Sequence, residues 1–271
     1  MRIIFLYSCS LNREDKRDNY GDVLSKYIVK KLSKSFVVKV KYPSSRFYNF
    51  FVKNYSVIGS IITAASVNTI VWGSGIIKKN ENIRKAKFLA VRGPRTRKRI
   101  MELGYEVPEV YGDPAILLPL LFENKTAKKF QIGIIPHYVD YEEVNEFYKN
   151  DSRIKVIDLL TFDVEQTTVE ILECEQIVSS SLHGVIVSQA YNIPALWVKF
   201  SDKLSGDNVK FYDYFESLNM QYNKEFSYKV TDLTCEQIKI LLSEEKDILL
   251  PKEEIVSIRR KELLSTCPFT K

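Results

Sequence analysis

One short segment combines a histidine with several hydroxyls at the start of a helix. The sequence SSSLHG occupies residues 179–184, directly after an apolar, strand-like run. Hydroxyls and free backbone N–H groups at a helix N-terminus bind phosphate or carboxylate oxygens, and a histidine beside them can give or take a proton near neutral pH. The pattern predicts His183 as a general acid or base, with Ser180 and Ser181 binding an anionic substrate.

A second segment, VRGPRTRK from residue 91, places arginines at the start of another helix. Pro94 fits the first helical turn, because its missing N–H is not needed there. Arg92 and Arg95 then lie where the helix dipole favours an anion, so these cations are poorly placed for stability alone. An anionic ligand would neutralise them, as would a nearby carboxylate such as Asp113. We predict that Arg92 and Arg95 bind the anion.

Further polar or small residues follow other predicted strands. In parallel α/β sheets, ligands bind beyond the carboxyl ends of the strands. A carboxylate in such a place can also act as a helix cap, and a lone GxG turn is weak evidence for a ligand. The residues are Asn19 and Asp22 before the first long helix, Gly73 and Ser74 in a GSG turn, Asp113 before a proline, and His137.

The elements that must position these residues alternate between apolar runs and amphipathic stretches, which is typical of βα units around parallel sheets. The predicted strands are Ile3–Tyr7, Phe36–Lys41, Thr69–Trp72, Phe88–Val91, Glu109–Tyr111, Ile132–Ile135, Lys155–Ile157, Gln176–Ser179 and Ala195–Val198. The predicted helices are Asp22–Leu32, Val57–Ala65, Asn82–Lys87, Arg95–Leu103, Ala115–Leu121, Tyr141–Tyr148, Val164–Glu173, Leu182–Tyr191, Cys235–Ser243 and Glu253–Leu264.

A polar stretch, ENKTAKK at residues 123–129, interrupts this alternation. We therefore expect an α/β fold of two Rossmann-like domains, residues 1–124 and 130–250, followed by a C-terminal helix over 251–271. Residues 54–77 contain no charged side chain, but polar residues and glycines interrupt them. They predict a buried helix and a buried strand in preference to a membrane span.

Composition excludes several classes of protein. The 271 residues are 45% hydrophobic, which is too apolar for a disordered or fibrous chain. The 40 Lys and Arg residues against 34 Asp and Glu give a net charge of +6, too dilute for a nucleic-acid binder but suited to anionic small molecules. The four cysteines are far apart, without a CxxC pair, which predicts reduced thiols in the cytoplasm and no metal site.

Six segments together resemble the polysaccharide pyruvyl transferase family, particularly its bacterial exopolysaccharide and capsule members. They span about Asn19 to Phe200 in the family's order and read NYGDVLSKYIVKKL, VWGSGII, VRGPRTRK, YGDPAILLP, GIIPHYVD and SSLHGVIVSQAYNIPALWV. The segment 206–215 also resembles a loop of capsule-synthesis relatives. The resemblance implies a glycosyltransferase-B-like arrangement of the domains and transfer of a pyruvyl group from phosphoenolpyruvate to a sugar, with a cyclic ketal as product.

The resemblance also implies roles for the residues above. His183 and Asp22 would be catalytic, and Lys210 would join Asn19, Asp113 and His137 in the acceptor cleft. Arg92, Arg95, Ser180, Ser181, Gly73 and Ser74 would bind the donor. The expected partners are phosphoenolpyruvate and a hexose-containing glycan on a lipid carrier, with no metal, no other cofactor and no nucleic acid. Work would take place in the cytoplasm, at the inner face of the membrane, where Arg259-Arg260-Lys261 could contact lipid or simply face solvent.

Alternatives remain open on sequence grounds. Many relatives carry an arginine where this chain has Ser181. The sequence leaves open whether Arg95 or another cation replaces that arginine. A glycosyltransferase that uses a nucleotide sugar is the alternative enzyme, because the same architecture serves both reactions. A non-catalytic subunit of a capsule-synthesis complex is the alternative from a different class.

Overall fold

The computed structural model describes residues 2–45 and 51–270, and two parallel sheets organise them. The first sheet has the order β3 (Phe36–Val40), β1 (Ile3–Tyr7), β4 (Asn54–Ser56), β5 (Thr69–Trp72) and β6 (Lys87–Ala90). The second has the order β11 (Ala195–Trp197), β10 (Cys174–Ser179), β7 (Phe130–Ile135) and β8 (Ile154–Val156). The polar stretch at 123–129 lies in the connection between the sheets.

A short antiparallel pair links the two halves beside the candidate site. In this pair β2 (Asp18–Asn19) lies against β9 (Leu160–Thr161). The backbone N–H of Tyr20 also donates to the carbonyl of Leu159 at 2.8 Å. The start of the first helix is therefore fixed to the second half of the chain.

Amphipathic helices cover the sheets. In α1 (Tyr20–Ser33), apolar residues such as Leu24 and Ile28 recur four positions apart and are fully buried. In α5 (Leu182–Ala190), by contrast, every residue is buried. The helices are α1 (Tyr20–Ser33), α2 (Pro94–Glu102), α3 (Tyr141–Tyr148), α4 (Val164–Leu172), α5 (Leu182–Ala190), α6 (Val209–Ser217), α7 (Cys235–Glu244) and α8 (Glu253–Ser265).

The largest hydrophobic core contains residues from both sheets. It joins Leu6 of β1 and Ile134 of β7 with residues of α1, α5 and the 3-10 helix at Pro114–Leu120. Helix α8 returns to the first sheet, where the indole N–H of Trp72 donates to the carbonyl of Leu263 at 3.1 Å. The mixed α/β class with parallel sheets is confirmed, and the division into two Rossmann-like domains stays a prediction.

Several predicted elements are wrong. Val57–Ala65 contains only a 3-10 turn at Ile62–Ala64, Asn82–Lys87 forms no helix, and Glu109–Tyr111 is no strand, although Tyr111 bridges Val91. The predicted helix Ala115–Leu121 is a 3-10 helix with Pro119 inside it. The runs at Val57–Ala65 and Ala115–Leu121 are apolar and mostly buried, so their periodicity does not distinguish helix from strand.

Two surface expectations also change. The 206–215 segment is a loop only up to residue 208, because α6 begins at Val209. Arg259 and Arg260 neither face solvent freely nor lie open to lipid, since their guanidinium groups donate to the carbonyls of Ser217, Ile116 and Ala190. Among the described residues, no helix combines the length and apolar character that crossing a bilayer requires.

Candidate functional site

The end of β10 and the start of α5 form the centre of the candidate site. The Ser179 hydroxyl fixes the turn by donating to the carbonyl of Ile135 at 2.8 Å, and the Ser180 hydroxyl accepts the His137 N–H at 2.8 Å. Ser181 occupies the N-cap position of α5, but its side chain makes no capping hydrogen bond. The first turn of α5 therefore lacks a side-chain cap, and such a helix start favours an anion.

The His183 imidazole lies between α5 and the start of α1. A Cβ atom at Gly21 would be only 2.2 Å from Nδ1, so the ring packs directly against the glycine backbone. On the other edge of the ring, Nε2 lies 3.6 Å from Oδ2 of Asp113. His183 is 8% exposed and Asp113 is 0% exposed. The predicted catalytic histidine is thus almost enclosed by protein, with the first turn of α1 on one side.

Asp22 lies in that same first turn, where it is half-buried. Its Oδ1 accepts the backbone N–H of Cys9 at 3.0 Å, and its side chain does not cap α1. Burial raises the pKa of Asp22 to about 6, although the nearby His183 and Lys39 act to lower it. The predicted pair, Asp22 and His183, therefore comes from opposite halves of the chain, and its carboxyl group titrates near neutral pH.

Arg92 is fully buried and already bonded within the protein. Its Nε donates to Oδ2 of Asp213 at 3.0 Å, its Nη1 to the Ser60 hydroxyl at 2.7 Å and its Nη2 to the Ile76 carbonyl at 2.5 Å. Asp213 also accepts the backbone N–H and the hydroxyl of Thr96 in the first turn of α2. The carboxylate that neutralises Arg92 is thus Asp213 of α6 and not Asp113.

Arg95 pairs with a different acid at the surface. Its guanidinium donates to Glu216 at 2.7 Å and lies over the ring of Tyr212, 4.7 Å from the centroid. It lines a cavity of about 440 Å³ outside α2, together with Lys98. No residue at the start of α5 lines this cavity, so the structure does not bring Arg95 together with His183.

Lys210, in the first turn of α6, is a partly buried cation. Within the described ranges, no carboxylate lies at ion-pair distance from its Nζ, which lies 5.3 Å from the centroid of the Phe211 ring. Burial and the positive charge of Arg92 lower the pKa of Lys210 to about 8. Burial and Lys210 in turn lower the pKa of His137 to about 4, so that imidazole is neutral at pH 7. The backbone N–H of His137 donates to the Ser180 hydroxyl, so the charge of Lys210 acts on a residue that adjoins the start of α5.

Three of the remaining predicted residues belong to the scaffold. The Ser74 hydroxyl donates to the Gly59 carbonyl at 2.9 Å and is fully buried. Gly73 has a φ of +95°, and a Cβ there would lie 2.2 Å from Cδ of Pro114. Asn19 precedes α1 and pairs with Leu160 in the link between the halves. Their predicted contacts with donor or acceptor stay predictions.

A cavity of about 550 Å³ has Asp22 in its wall. Asp18, Lys39 and Tyr27 contribute to its walls, as does Phe162, which is 76% exposed. Phe162 was not predicted, because one aromatic residue after a two-residue strand gives no signal in the sequence. Asp213 was not predicted either, since only the fold reveals that it meets Arg92 from 121 residues away.

The parallel sheets define an α/β protein. Its candidate active site combines a histidine at an uncapped helix start, a neighbouring carboxyl group and a partly buried lysine, and these groups suit an anionic substrate. The model of the family described as polysaccharide pyruvyl transferase matches residues 19–202, which is more than half of the chain. The chain belongs to this family, as its motifs predict. It is also similar to an uncharacterized protein of Acanthamoeba polyphaga mimivirus, 32% identical over 258 residues that cover 91% of this chain and 86% of the relative.

Proposed function

We propose that the protein transfers a pyruvyl group from phosphoenolpyruvate to two hydroxyls of one hexose in a surface polysaccharide or its lipid-linked precursor. The reaction takes place in the cytoplasm, at the inner face of the membrane, without a metal or another cofactor. Family membership supports pyruvyl transfer to a polysaccharide. The observation that carries the choice of donor is the combination of two features: an uncapped start of α5, and Lys210, which has no ion-pair partner in the described structure and whose charge lowers the pKa of His137.

The donor needs several cationic or N–H groups, because phosphoenolpyruvate carries both a phosphate and a carboxylate. The first turn of α5 with Ser180 and Ser181 offers N–H and hydroxyl donors. Lys210 adds a full charge that no carboxylate of the described chain neutralises. Arg92 and Arg95 are each bonded to a carboxylate, so we assign the main cationic contact to Lys210.

The reaction then needs one acid and one base. His183 donates a proton to the methylene carbon of the donor while the first sugar hydroxyl bonds to the adjacent carbon and passes its proton to Asp22. The second hydroxyl then bonds to the same carbon, the bond from that carbon to the phosphate oxygen breaks, and inorganic phosphate leaves with the proton that Asp22 had taken up. His183 takes up the proton of the second hydroxyl. The products are the cyclic ketal and phosphate, so all atoms balance.

The acceptor enters through the 550 Å³ cavity beside Asp22. Its carboxylates and lysines can hydrogen-bond sugar hydroxyls, and the exposed ring of Phe162 offers an apolar face to the sugar ring. This placement puts the acceptor hydroxyls next to Asp22, the proposed base.

Neutralising Lys210 should weaken the use of phosphoenolpyruvate. Charge-assisted hydrogen bonds contribute about 1.5–3 kcal/mol, so we expect Lys210→Met to raise KM for phosphoenolpyruvate about 10- to 100-fold. In the wild type, kcat/KM should fall as the pH rises through about 8, because Lys210 loses its charge there. Steady-state kinetics from pH 5 to 10 measure both effects.

Two variants serve as controls for Lys210. Lys210→Arg keeps the charge and should move the alkaline fall to higher pH. Lys98→Met removes an exposed lysine from the cavity that Arg95 lines, and it should leave KM unchanged. An effect of Lys98→Met equal to that of Lys210→Met would place the donor at α2 instead.

Removing the Phe162 ring should affect the acceptor and not the donor. Burying a phenylalanine side chain is worth about 1.5–3 kcal/mol, so Phe162→Ala should raise KM for the acceptor glycan about tenfold with kcat nearly unchanged. Phe36→Ala is the matched control, because Phe36 is 61% exposed but lies at the amino end of β3, away from the strand ends that face the site. An unchanged KM for the acceptor in Phe162→Ala would reject this cavity as the acceptor site.

The proposed function is tested by incubating the protein with phosphoenolpyruvate and a panel of lipid-linked and synthetic hexosides. Mass spectrometry should detect a gain equal to pyruvic acid minus one water, together with released phosphate. UDP- and GDP-sugars serve as competing donors. Thermal stabilisation by a nucleotide sugar but not by phosphoenolpyruvate would support a glycosyltransferase and contradict the proposal.

A further inference from the structure

Asp113 and His183 present two buried polar atoms to each other. Oδ1 of Asp113 accepts the Ala115 N–H at 3.0 Å, but Oδ2 has no hydrogen-bond partner in the described parts of the chain. Nε2 of His183 is likewise buried without a partner, and it lies 3.6 Å from this Oδ2. Buried polar groups normally find partners, so two such atoms facing each other point to a contact that shortens in the working protein.

We propose that Asp113 is a positioning residue that accepts the proton of Nε2–H and so leaves Nδ1 of His183 as the nitrogen that reacts. This inference rests on the proposed role of His183 in pyruvyl transfer. It assigns Asp113 to the catalytic histidine and not to the acceptor, where the sequence analysis places it. A hydrogen bond at one imidazole nitrogen determines which tautomer the neutral ring adopts.

The surroundings of the ring agree with this assignment. Nε2 is enclosed on the Asp113 side, whereas Nδ1 lies against Gly21 in the first turn of α1. Asp22 follows Gly21 directly and lines the cavity proposed for the acceptor. The edge of His183 that carries Nδ1 therefore faces the first turn of α1, which also carries Asp22, the residue proposed to take the proton of the first sugar hydroxyl.

Two contacts fix the turn that carries Asp113: the cap of the following 3-10 helix and the packing of Pro114 against Gly73. Asp113 caps the 3-10 helix that begins at Pro114, and Gly73 leaves room for the ring of that proline. The carboxyl group is thus fixed through its own Oδ1 and through its neighbour, which leaves Oδ2 directed at His183. Gly73, which the sequence analysis predicts to bind the donor substrate, therefore helps to position Asp113 by packing against Pro114.

During the reaction, Nδ1 would carry the exchanged proton. The protonated Nδ1 gives its proton to the methylene carbon of the donor, and the bare Nδ1 then takes the proton of the second sugar hydroxyl. The proton on Nε2 stays with the ring throughout, shared with Asp113.

Nuclear magnetic resonance of protein labelled with ¹⁵N-histidine tests the tautomer without any substrate. The chain has only two histidines, and the His137→Gln variant identifies the His183 signals. At a pH where the ring is neutral, we expect Nε2 to be protonated and Nδ1 to be bare. A neutral wild-type ring with the proton on Nδ1 would overturn the proposal, whatever the variants do.

Asp113→Asn keeps an oxygen for the Ala115 N–H and presents an amide N–H₂ to Nε2. A donor in that place cannot accept from Nε2–H, so the tautomer should shift toward Nδ1–H. We expect kcat to fall about 10²- to 10⁴-fold with KM for phosphoenolpyruvate nearly unchanged. An unaltered tautomer in a folded Asp113→Asn protein would contradict the proposal.

The two proposals fail separately. A wild-type ring protonated on Nε2 in a protein that does not use phosphoenolpyruvate would retain the role of Asp113 and reject the proposed function. If the protein transfers pyruvyl groups but its neutral His183 carries the proton on Nδ1, the proposed function is retained and the role of Asp113 is rejected.

Discussion

Replacement of His183 with glutamine should lower kcat about 10²- to 10⁴-fold, the usual contribution of a general acid or base. Glutamine is close in size to the imidazole and can still donate to Asp113, but it cannot exchange a proton at neutral pH. The fold and the affinity for phosphoenolpyruvate should therefore change little. Steady-state kinetics, together with the rise in melting temperature on adding phosphoenolpyruvate, measure the two effects separately.

The affinity for phosphoenolpyruvate and kcat should respond differently to this substitution. A His183→Gln protein that binds phosphoenolpyruvate normally but turns over at least a hundredfold more slowly supports proton transfer by the imidazole. Turnover within about threefold of the wild type would remove His183 from the mechanism. Loss of binding with unchanged kcat at saturating donor would make the residue a donor ligand instead.

Replacement of Asp213 with asparagine should have the largest effect on stability. Arg92 and Asp213 are both completely buried, and Asp213 is the carboxylate that neutralises the guanidinium. Removing one partner of a buried ion pair leaves an uncompensated charge and costs about 3–5 kcal/mol. We expect the free energy of unfolding to fall by that amount in chemical denaturation, even though asparagine can still accept the Thr96 N–H.

The chain offers a matched control for this ion pair. Arg95 and Glu216 join the same two helices, α2 and α6, but both side chains are about 40% exposed. Surface pairs contribute about 0–1 kcal/mol, so Glu216→Gln should change stability little. Equal losses in Asp213→Asn and Glu216→Gln would contradict the assignment of Arg92 to a buried structural pair.

A double variant separates the structural role of Arg92 from its predicted role as a donor ligand. Replacing Arg92 with methionine and Asp213 with leucine removes both charges, and such apolar replacements often restore stability. If Arg92 serves only to hold α2 and α6 together, the folded double variant should bind phosphoenolpyruvate nearly as well as the wild type. A large loss of binding would return Arg92 to the list of donor ligands.

The residues around the start of α5 were predicted as the centre of the candidate site because strand ends and helix starts leave local signals in the sequence. The serines before His183 follow an apolar run and precede another, and parallel sheets bring such ends to one edge. The same rule selected Asp22, which the structure places beside His183. The ion pairs of the cations gave no such signal: Arg92 and Arg95 have acidic partners on α6, and Lys210 has none in the described structure, so the binding of the donor by Arg92 and Arg95 stays a prediction.

The secondary structure shows the same division. Long elements with a clear period, such as α1 and α8, were predicted nearly to their ends, whereas the short buried runs at Val57–Ala65 and Ala115–Leu121 were assigned the wrong type. An apolar run that is mostly buried has no polar face. Without alternating polar and apolar positions, the sequence shows neither the helical nor the strand period.

The sequence by itself determined the α/β class, the family and the chemical groups at the end of β10, because each of these depends on residues that are close together in the sequence. Only the tertiary structure decided which charges are free to bind a substrate. Asp213 neutralises Arg92 from 121 positions away, and Asp113 meets His183 from 70 positions away. Electrostatic pairing depends on distance in space, and a single sequence contains no measure of that distance.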